Sequence, residues 1–126
     1  DRLLSRGLGD VYKRQHEEPV AICRLKRVAA DNKGDFDALL PEIPSEKNGK
    51  QIALIGGGPA SLTVARDLLP LGYEVTVFEK DPKPGGLMRT NIPSFRLPEE
   101  VLDEEVYRVI KMGAKFVNNT EIKSIV

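Results

Sequence analysis

In the second half of the chain, short apolar runs typical of strands alternate with segments in which apolar residues recur at helical spacing. Two short apolar runs rich in β-branched side chains, at residues 51–55 and 75–78, are typical of buried strands. Between them, apolar positions in residues 59–69 recur at helical spacing until Pro70 interrupts the pattern. The order strand, glycine turn, helix, strand predicts a βαβ unit with two parallel strands.

The flanking segments extend this pattern on both sides. Helical spacing returns at residues 99–112, and residues 115–117 predict a third strand. Residues 81–98 hold four prolines and two adjacent glycines, which predicts irregular structure. A helix over residues 19–31 and a linker over residues 35–49 precede the first strand. The predicted fold class is α/β, a Rossmann-like βαβ unit on a parallel sheet, preceded by a short helix and a linker.

The first fifteen residues are set apart from the rest of the chain. Residues 5–15 match, over eleven consecutive residues, the translation of one reading frame of a transposon-type sequencing adapter. Because an adapter-derived segment is not part of the natural protein, residues 1–15 are expected to be an artefact that packs against no other part of the chain. Residues 16–49 then form the helix and linker, and residues 50–126 form a truncated dinucleotide-binding domain.

Composition and charge exclude several function classes. The chain has 19 basic and 19 acidic residues without a basic stripe, so no nucleic-acid partner is expected. No apolar run approaches the roughly 20 residues of a membrane span. One cysteine, Cys23, excludes a disulfide framework and an all-cysteine iron–sulfur site within the chain, and fits a cytoplasmic location. With Ile22 and Leu25 beside it, Cys23 is expected to be a small core residue rather than a metal ligand.

The residues that carry chemistry lie between the first strand and its helix, in the sequence Gly56-Gly57-Gly58-Pro59-Ala60-Ser61. Its spacing differs at one position from the dinucleotide-binding fingerprint. Gly56 permits a tight turn, and Gly58 lets a pyrophosphate approach the backbone. The helix from Pro59 directs free N–H groups and its positive dipole end at the phosphates. Ser61 is small enough for the packing role of the third glycine.

An acidic residue stands at the distance that the fingerprint requires. Glu79 lies 23 residues after Gly56, at the end of the second strand. Its carboxylate would accept hydrogen bonds from the adenosine ribose and repel a 2′-phosphate, which argues against NADP at this site. We expect the glycine loop to follow a central parallel strand, with Glu79 pointing toward the loop.

The segment after Glu79 carries a family resemblance. The run Glu79-Lys80-Asp81-Pro82-Lys83-Pro84-Gly85-Gly86-Leu87 is similar to the acidic-to-double-glycine segment of flavoproteins with two dinucleotide domains. With residues 58–61 and the run Ile92-Pro93-Ser94-Phe95-Arg96-Leu97-Pro98, it resembles the glutamate synthase small subunit and the FAD-binding part of dihydropyrimidine dehydrogenase. These two segments favour a flavin domain over the NAD-binding domain of a non-flavin dehydrogenase. The intact glycine loop and Glu79 argue against a third alternative, a module retained only for interaction.

The resemblance assigns roles to particular residues. It implies that residues 57–61 bind the FAD pyrophosphate through backbone groups and that Glu79 holds the ribose. Gly86 and Leu87 would lie along the cofactor, and Arg96 would reach the flavin nucleotide. Lys80 is a further candidate for contact with the cofactor, and no residue of the chain is a candidate acid, base or nucleophile.

In that family, NAD(P)H passes a hydride to FAD, and electrons leave through 4Fe-4S clusters. The resemblance therefore implies a fragment of an NAD(P)H-dependent flavoprotein oxidoreductase that has lost an N-terminal iron–sulfur domain. Its expected partners are an iron–sulfur domain or subunit and a larger catalytic subunit. The terminal electron acceptor stays open among glutamate synthesis, pyrimidine reduction and ferredoxin-linked transfer.

Overall fold

The computed structural model describes residues 21–34 and 39–124, so the prediction for residues 1–15 lies outside the described residues. Contacts divide the chain into two units, with the boundary between residues 38 and 39. The first unit contains helix α1, Ile22–Asp31, none of whose residues is buried. Cys23 is exposed, so the prediction that it packs in a core is wrong. The described part of this unit supplies no second element to cover the apolar positions of α1.

The second unit confirms the α/β class. Its elements in chain order are β1 Gln51–Ile55, α2 Pro59–Leu68, a 3-10 turn Leu69–Leu71, β2 Glu74–Phe78, α3 Leu87–Thr90, α4 Glu99–Lys111 and β3 Lys115–Val117. The strands form a parallel sheet in the order β1-β2-β3. The short helix α3 corrects the prediction of irregular structure through residues 81–98, since one helical turn follows Gly86 directly.

Strand β1 lies at the edge of the sheet that the described residues form, with β2 in the centre. The prediction of a central, buried first strand is therefore wrong for this sheet. No residue of β1 is buried, and Ile55 is 52% exposed. Val75 and Val77 of β2 are almost completely buried. A parallel strand is buried only when both of its faces are covered, and among the described residues β2 meets that condition better than β1.

The core lies around β2 and the helices α2 and α4, and contains the buried side chains of Leu62, Ala65, Leu69, Val75, Val77, Val106, Val109, Met112 and Ala114. Charges support α4 at both ends, because acidic residues stand in its first turn and basic residues in its last. Leu40 and Ile43 pack against the core, and the Asn48 N–H donates to the Gly72 carbonyl at 3.0 Å. Part of the predicted linker is therefore in contact with the domain.

Candidate functional site: the glycine-loop groove

The glycine loop forms a sharp turn from β1 into α2. Gly56 has a φ of 88°, a backbone conformation that favours glycine, and its N–H donates to the Phe78 carbonyl at 2.8 Å. Gly58 is the N-cap of α2 and Pro59 occupies the first turn. Since the first turn of a helix has N–H groups without intrahelical partners, α2 presents donors at this end of the sheet.

Glu79 points toward the glycine loop, as predicted. Its side chain is 4% exposed, and its Oε2 accepts a hydrogen bond from the Gly57 N–H at 2.6 Å. Its Oε1 accepts from the Asp81 N–H at 2.9 Å. An ionised carboxylate has about four acceptor positions, so two remain for further donors such as ribose hydroxyls. Glu79 therefore holds the glycine loop through Oε2 and the backbone at Asp81 through Oε1.

The double-glycine turn packs directly on the glycine loop. The Gly85 N–H donates to the Gly57 carbonyl at 2.8 Å. A Cβ added to Gly86 would lie 3.0 Å from the Gly58 Cα, a contact tight enough that the Gly58 backbone would have to move, so glycine is favoured here. Both residues have positive φ, 137° at Gly85 and 52° at Gly86. The two glycine segments, separated by about thirty residues, are thus joined into one surface.

A groove of about 530 Å³ runs between the two glycine segments. Seven of the predicted site residues line it, namely Gly56, Gly58, Pro59, Ala60, Ser61, Gly86 and Leu87. Met88, Asn91 and Ile92 extend its wall beyond the double-glycine turn. The wall is therefore mostly backbone and apolar side chains, with helical N–H donors at one end.

The remaining predicted residues take other positions. Gly57 is buried beneath the groove, held between Glu79 and the loop that contains Pro84. Lys80 and Arg96 are exposed and do not belong to the groove lining. The structure thus brings together the glycine loop, Glu79 and the Gly85–Gly86 turn. Lys80 and Arg96 lie outside this group of residues.

Two residues that the motifs do not identify support the site. Pro84 is buried, and a Cβ on Gly57 would lie 2.7 Å from its Cβ. The guanidinium of Arg89 on α3 donates to the Pro84 carbonyl at 2.9 Å and pairs with Glu99 and Asp103 on α4. Glu99 and Asp103 are four residues apart, which places both carboxylates on one face of α4. This spacing is the feature of the sequence that could have indicated a cationic partner such as Arg89.

The pKa of Asp103 lies below its ordinary value of 3.8, chiefly because its carboxylate accepts a hydrogen bond from Arg89, with smaller contributions from the charges of Arg89 and Lys83. The ionised carboxylate therefore stabilises the fold above pH 3.8, and this contribution is lost as the pH falls through the lower folded-state value. We expect Asp103→Asn to lower the free energy of unfolding at neutral pH by less than about 1 kcal/mol, because the Asp103 side chain is 47% exposed and solvent screens its pair with Arg89. Thermal unfolding between neutral and acidic pH should show the wild type and the variant converging; a difference independent of pH would contradict this.

No described helix is long and apolar enough to cross a membrane. Within residues 21–34 and 39–124, no cluster of three or more histidine, cysteine, aspartate or glutamate side chains could hold a metal ion.

The sequence of residues 54–120 matches the family model of the NAD(P)-binding Rossmann-like domain. The chain belongs to this family. The match spans the glycine loop, Glu79 and the double-glycine turn, so the family assignment covers the same residues that form the groove.

Curated relatives agree with the resemblance seen in the motifs. The chain is 42% identical over 106 residues to the NAD-dependent dihydropyrimidine dehydrogenase subunit PreT of Salmonella typhimurium, covering 84% of the chain and 25% of that protein. It is 35% identical over 103 residues to the glutamate synthase [NADPH] small chain of Bacillus subtilis, covering 82% and 21%. It is 34% identical over 121 residues to the NADP(+)-dependent formate dehydrogenase subunit beta of Moorella thermoacetica, covering 96% and 17%. The chain spans a quarter or less of these relatives.

A solved structure shares the fold. The 6-hydroxypseudooxynicotine amine oxidase of Pseudomonas geniculata N1 superimposes with a TM-score of 0.50 and 28% identity, over 65% of this chain and 13% of that one. The dihydropyrimidine dehydrogenase and formate dehydrogenase relatives and this amine oxidase are named as redox enzymes.

Proposed function

We propose that this domain binds the ADP part of FAD as a component of an NAD(P)H-dependent flavoprotein oxidoreductase. The observation that carries the proposal is the meeting of the glycine loop, the helix N-terminus and the buried Glu79 carboxylate at one end of the sheet. In an open parallel sheet, that end is where dinucleotides bind.

The groove has the space that a diphosphate needs. A Cβ placed on Gly58 would meet nothing within 4 Å, so the surface in front of this residue is open. The backbone of Gly58 and the first turn of α2 would hold the diphosphate through N–H groups. Glu79 would accept the ribose hydroxyls with its remaining acceptor positions. These residues fit the adenosine diphosphate part of the cofactor.

The preference for FAD over NAD rests on the double-glycine segment and on the run Ile92–Pro98, which resemble those of flavoproteins. Beyond the glycine loop, the wall of the groove continues along Gly86, Leu87 and Ile92 rather than ending at the phosphate site. Such a wall leaves room for the ribityl-linked half of FAD. The NADP that some relatives carry in their names would bind at another site in the complete protein, because the Glu79 carboxylate opposes a 2′-phosphate here. The alternative is an NAD-binding domain of a non-flavin dehydrogenase.

These positions separate the role of the cofactor from the role of the residues of this chain. Bound FAD would supply acceptance of a hydride from NAD(P)H, while the residues of this chain bind and orient the cofactor. We place the nicotinamide site, the 4Fe-4S clusters and any larger catalytic subunit outside this domain, in a cytoplasmic complex. Two of the relatives are named as subunits, which supports a partner subunit for the complete protein.

We expect the 126-residue chain supplied with FAD to oxidise neither NADH nor NADPH faster than free FAD does. The physical reason is that the groove provides one dinucleotide site and no side chain placed to move a proton at the reacting atoms. The test follows NADH and NADPH absorbance with a dye as electron acceptor. Turnover well above that of free FAD would show that the nicotinamide site lies within these residues.

The visible absorption of the complete protein distinguishes an FAD-binding domain from the alternative, an NAD-binding domain. If the proposal is correct, the protein as purified has the visible absorption band of oxidised flavin, and the band bleaches when NADH or NADPH is added. A colourless protein that binds NAD with a Glu79-dependent affinity would instead support the non-flavin dehydrogenase.

A further inference from the structure

We propose that Arg89 is a positioning residue, which holds the Gly85–Gly86 turn against the glycine loop and thereby sets cofactor affinity without contacting the cofactor. This inference rests on the proposed function for its affinity claim. Its structural part concerns only contacts among residues of this chain.

Arg89 spans the double-glycine turn. Its Nε donates to the carbonyl of Pro84 at 2.9 Å, on one side of the turn. Its own backbone N–H donates to the Gly86 carbonyl at 3.0 Å, on the other side. The side chain also packs over the turn, because a Cβ on Gly85 would lie 3.2 Å from both the Cβ and the Nε of Arg89. One residue therefore fixes both ends of a two-glycine segment that has no side chains to fix itself.

The other half of the guanidinium is anchored to α4. Nη1 lies 3.3 Å from Glu99 Oε2, and Nη2 donates to Asp103. Lys83 pairs with the same two carboxylates, at 3.6 Å from Glu99 and 3.5 Å from Asp103. The side chain of Arg89 is only 12% exposed, so its orientation is set by these partners rather than by solvent. A planar fork with donors in fixed directions serves three acceptors at once, which the single ammonium of lysine does not reproduce.

The turn that Arg89 holds is part of the groove. The Gly85 N–H donates to the Gly57 carbonyl, and a Cβ on Gly86 would lie only 3.0 Å from the Gly58 Cα. Gly86 lines the groove and Arg89 does not, although both residues line an adjoining cavity of about 480 Å³. Release of the turn from α4 would therefore loosen one wall of the groove without removing any side chain from its lining.

The competing explanation is that Arg89 acts as a cation for the cofactor phosphates. The two explanations predict opposite effects of neutralising Asp103. If Arg89 serves as a phosphate cation, removal of the neighbouring negative charge strengthens the binding of anionic FAD. If Arg89 is a positioning residue, the same change weakens binding because the guanidinium loses an anchor.

The experiment titrates the uniformly ¹⁵N-labelled 126-residue chain with FAD, comparing wild type, Arg89→Lys and Asp103→Asn. Arg66→Lys and Asp67→Asn are matched controls, because this pair makes the same charge types on the exposed surface of α2. We expect Arg89→Lys to weaken FAD binding about tenfold and Asp103→Asn by a smaller factor, within the range of contacts that act through neighbours. Amide hydrogen exchange at Gly85 should accelerate in both variants and stay unchanged in the controls.

The outcomes distinguish this inference from the proposed function. Wild-type affinity in Arg89→Lys, or tighter binding by Asp103→Asn, overturns the positioning role while the flavin site stands. Unchanged Gly85 exchange in Arg89→Lys also overturns it, whatever the affinities. If the wild-type chain shows no FAD-dependent shifts at all, the proposed function fails, and the affinity claim fails with it.

Discussion

Replacement of Gly58 by valine is expected to remove FAD binding while the domain stays folded. Gly58 has φ −78°, which any residue adopts, and a Cβ there meets nothing within 4 Å. The protein therefore accommodates the side chain, but the side chain occupies the surface that a diphosphate must approach. Loss of two charge-assisted hydrogen bonds would cost about 3 kcal/mol or more, roughly a hundredfold in affinity.

Flavin titration and thermal unfolding together decide this prediction. Gly34→Val is the control, since a Cβ on Gly34 also meets nothing within 4 Å and Gly34 does not line the groove. We expect both variants to unfold near the wild-type temperature and only Gly58→Val to lose FAD. Equal FAD affinity in wild type and Gly58→Val would refute the role of Gly58 in diphosphate binding.

Replacement of Gly57 by alanine is expected to lower the stability of the domain strongly, in contrast to Gly58→Val, which should lower only the affinity for FAD. The new Cβ would lie 2.7 Å from the Pro84 Cβ and 2.9 Å from Glu79 Oε2, distances at which atoms must shift. The shift would also disturb the buried hydrogen bond from the Gly57 N–H to Glu79. Overpacking of this kind costs about 1–3 kcal/mol, which lowers the unfolding temperature of a domain this size by roughly 10 °C.

The neighbouring glycine provides the matched control. Gly58→Ala adds the same single methyl group one residue away, in open space. Calorimetry should show a clear drop for Gly57→Ala and little change for Gly58→Ala. If the two alanine variants unfold at the same temperature, the close packing of Gly57 on Pro84 is not a feature of the folded protein.

The parts of the site that follow from chain connectivity were predictable from the sequence. Parallel strands joined by a helix place their carboxyl ends at the same edge, so Gly56 and Glu79 had to come close once the βαβ unit was recognised. The helix α4 and strand β3 also follow from local periodicity. These predictions rest on short-range patterns that no distant contact overrides.

Other features depend on contacts between distant segments. Gly57 occupies a variable position of the fingerprint, yet its packing on Pro84 leaves no room for a side chain. The route of residues 81–86 determines this, and no periodicity encodes that route. The burial of β1 and of Cys23 was mispredicted for a related reason. An apolar run has the same pattern whether or not another element covers it, and burial depends on that element.

Glu79 illustrates how one residue can serve the fold and the site together. The fingerprint assigns it to the ribose, whereas the structure also uses both of its oxygens to hold backbone N–H groups of residues 57 and 81. Replacing it would leave a buried N–H without its acceptor, so substitutions at Glu79 report on loop integrity as well as on ligand contact.

The most direct test of the flavin assignment is the map of amide shifts when the ¹⁵N-labelled chain is titrated separately with FAD, ADP and NAD. The proposed site predicts shifts at Gly57, Gly58, Ala60 and Ser61 with all three ligands, and further shifts at Leu87, Met88 and Ile92 with FAD alone. Shifts confined to the glycine loop with NAD binding at least as tightly as FAD would contradict the flavin assignment, and no shifts at the loop with any ligand would contradict the dinucleotide site itself.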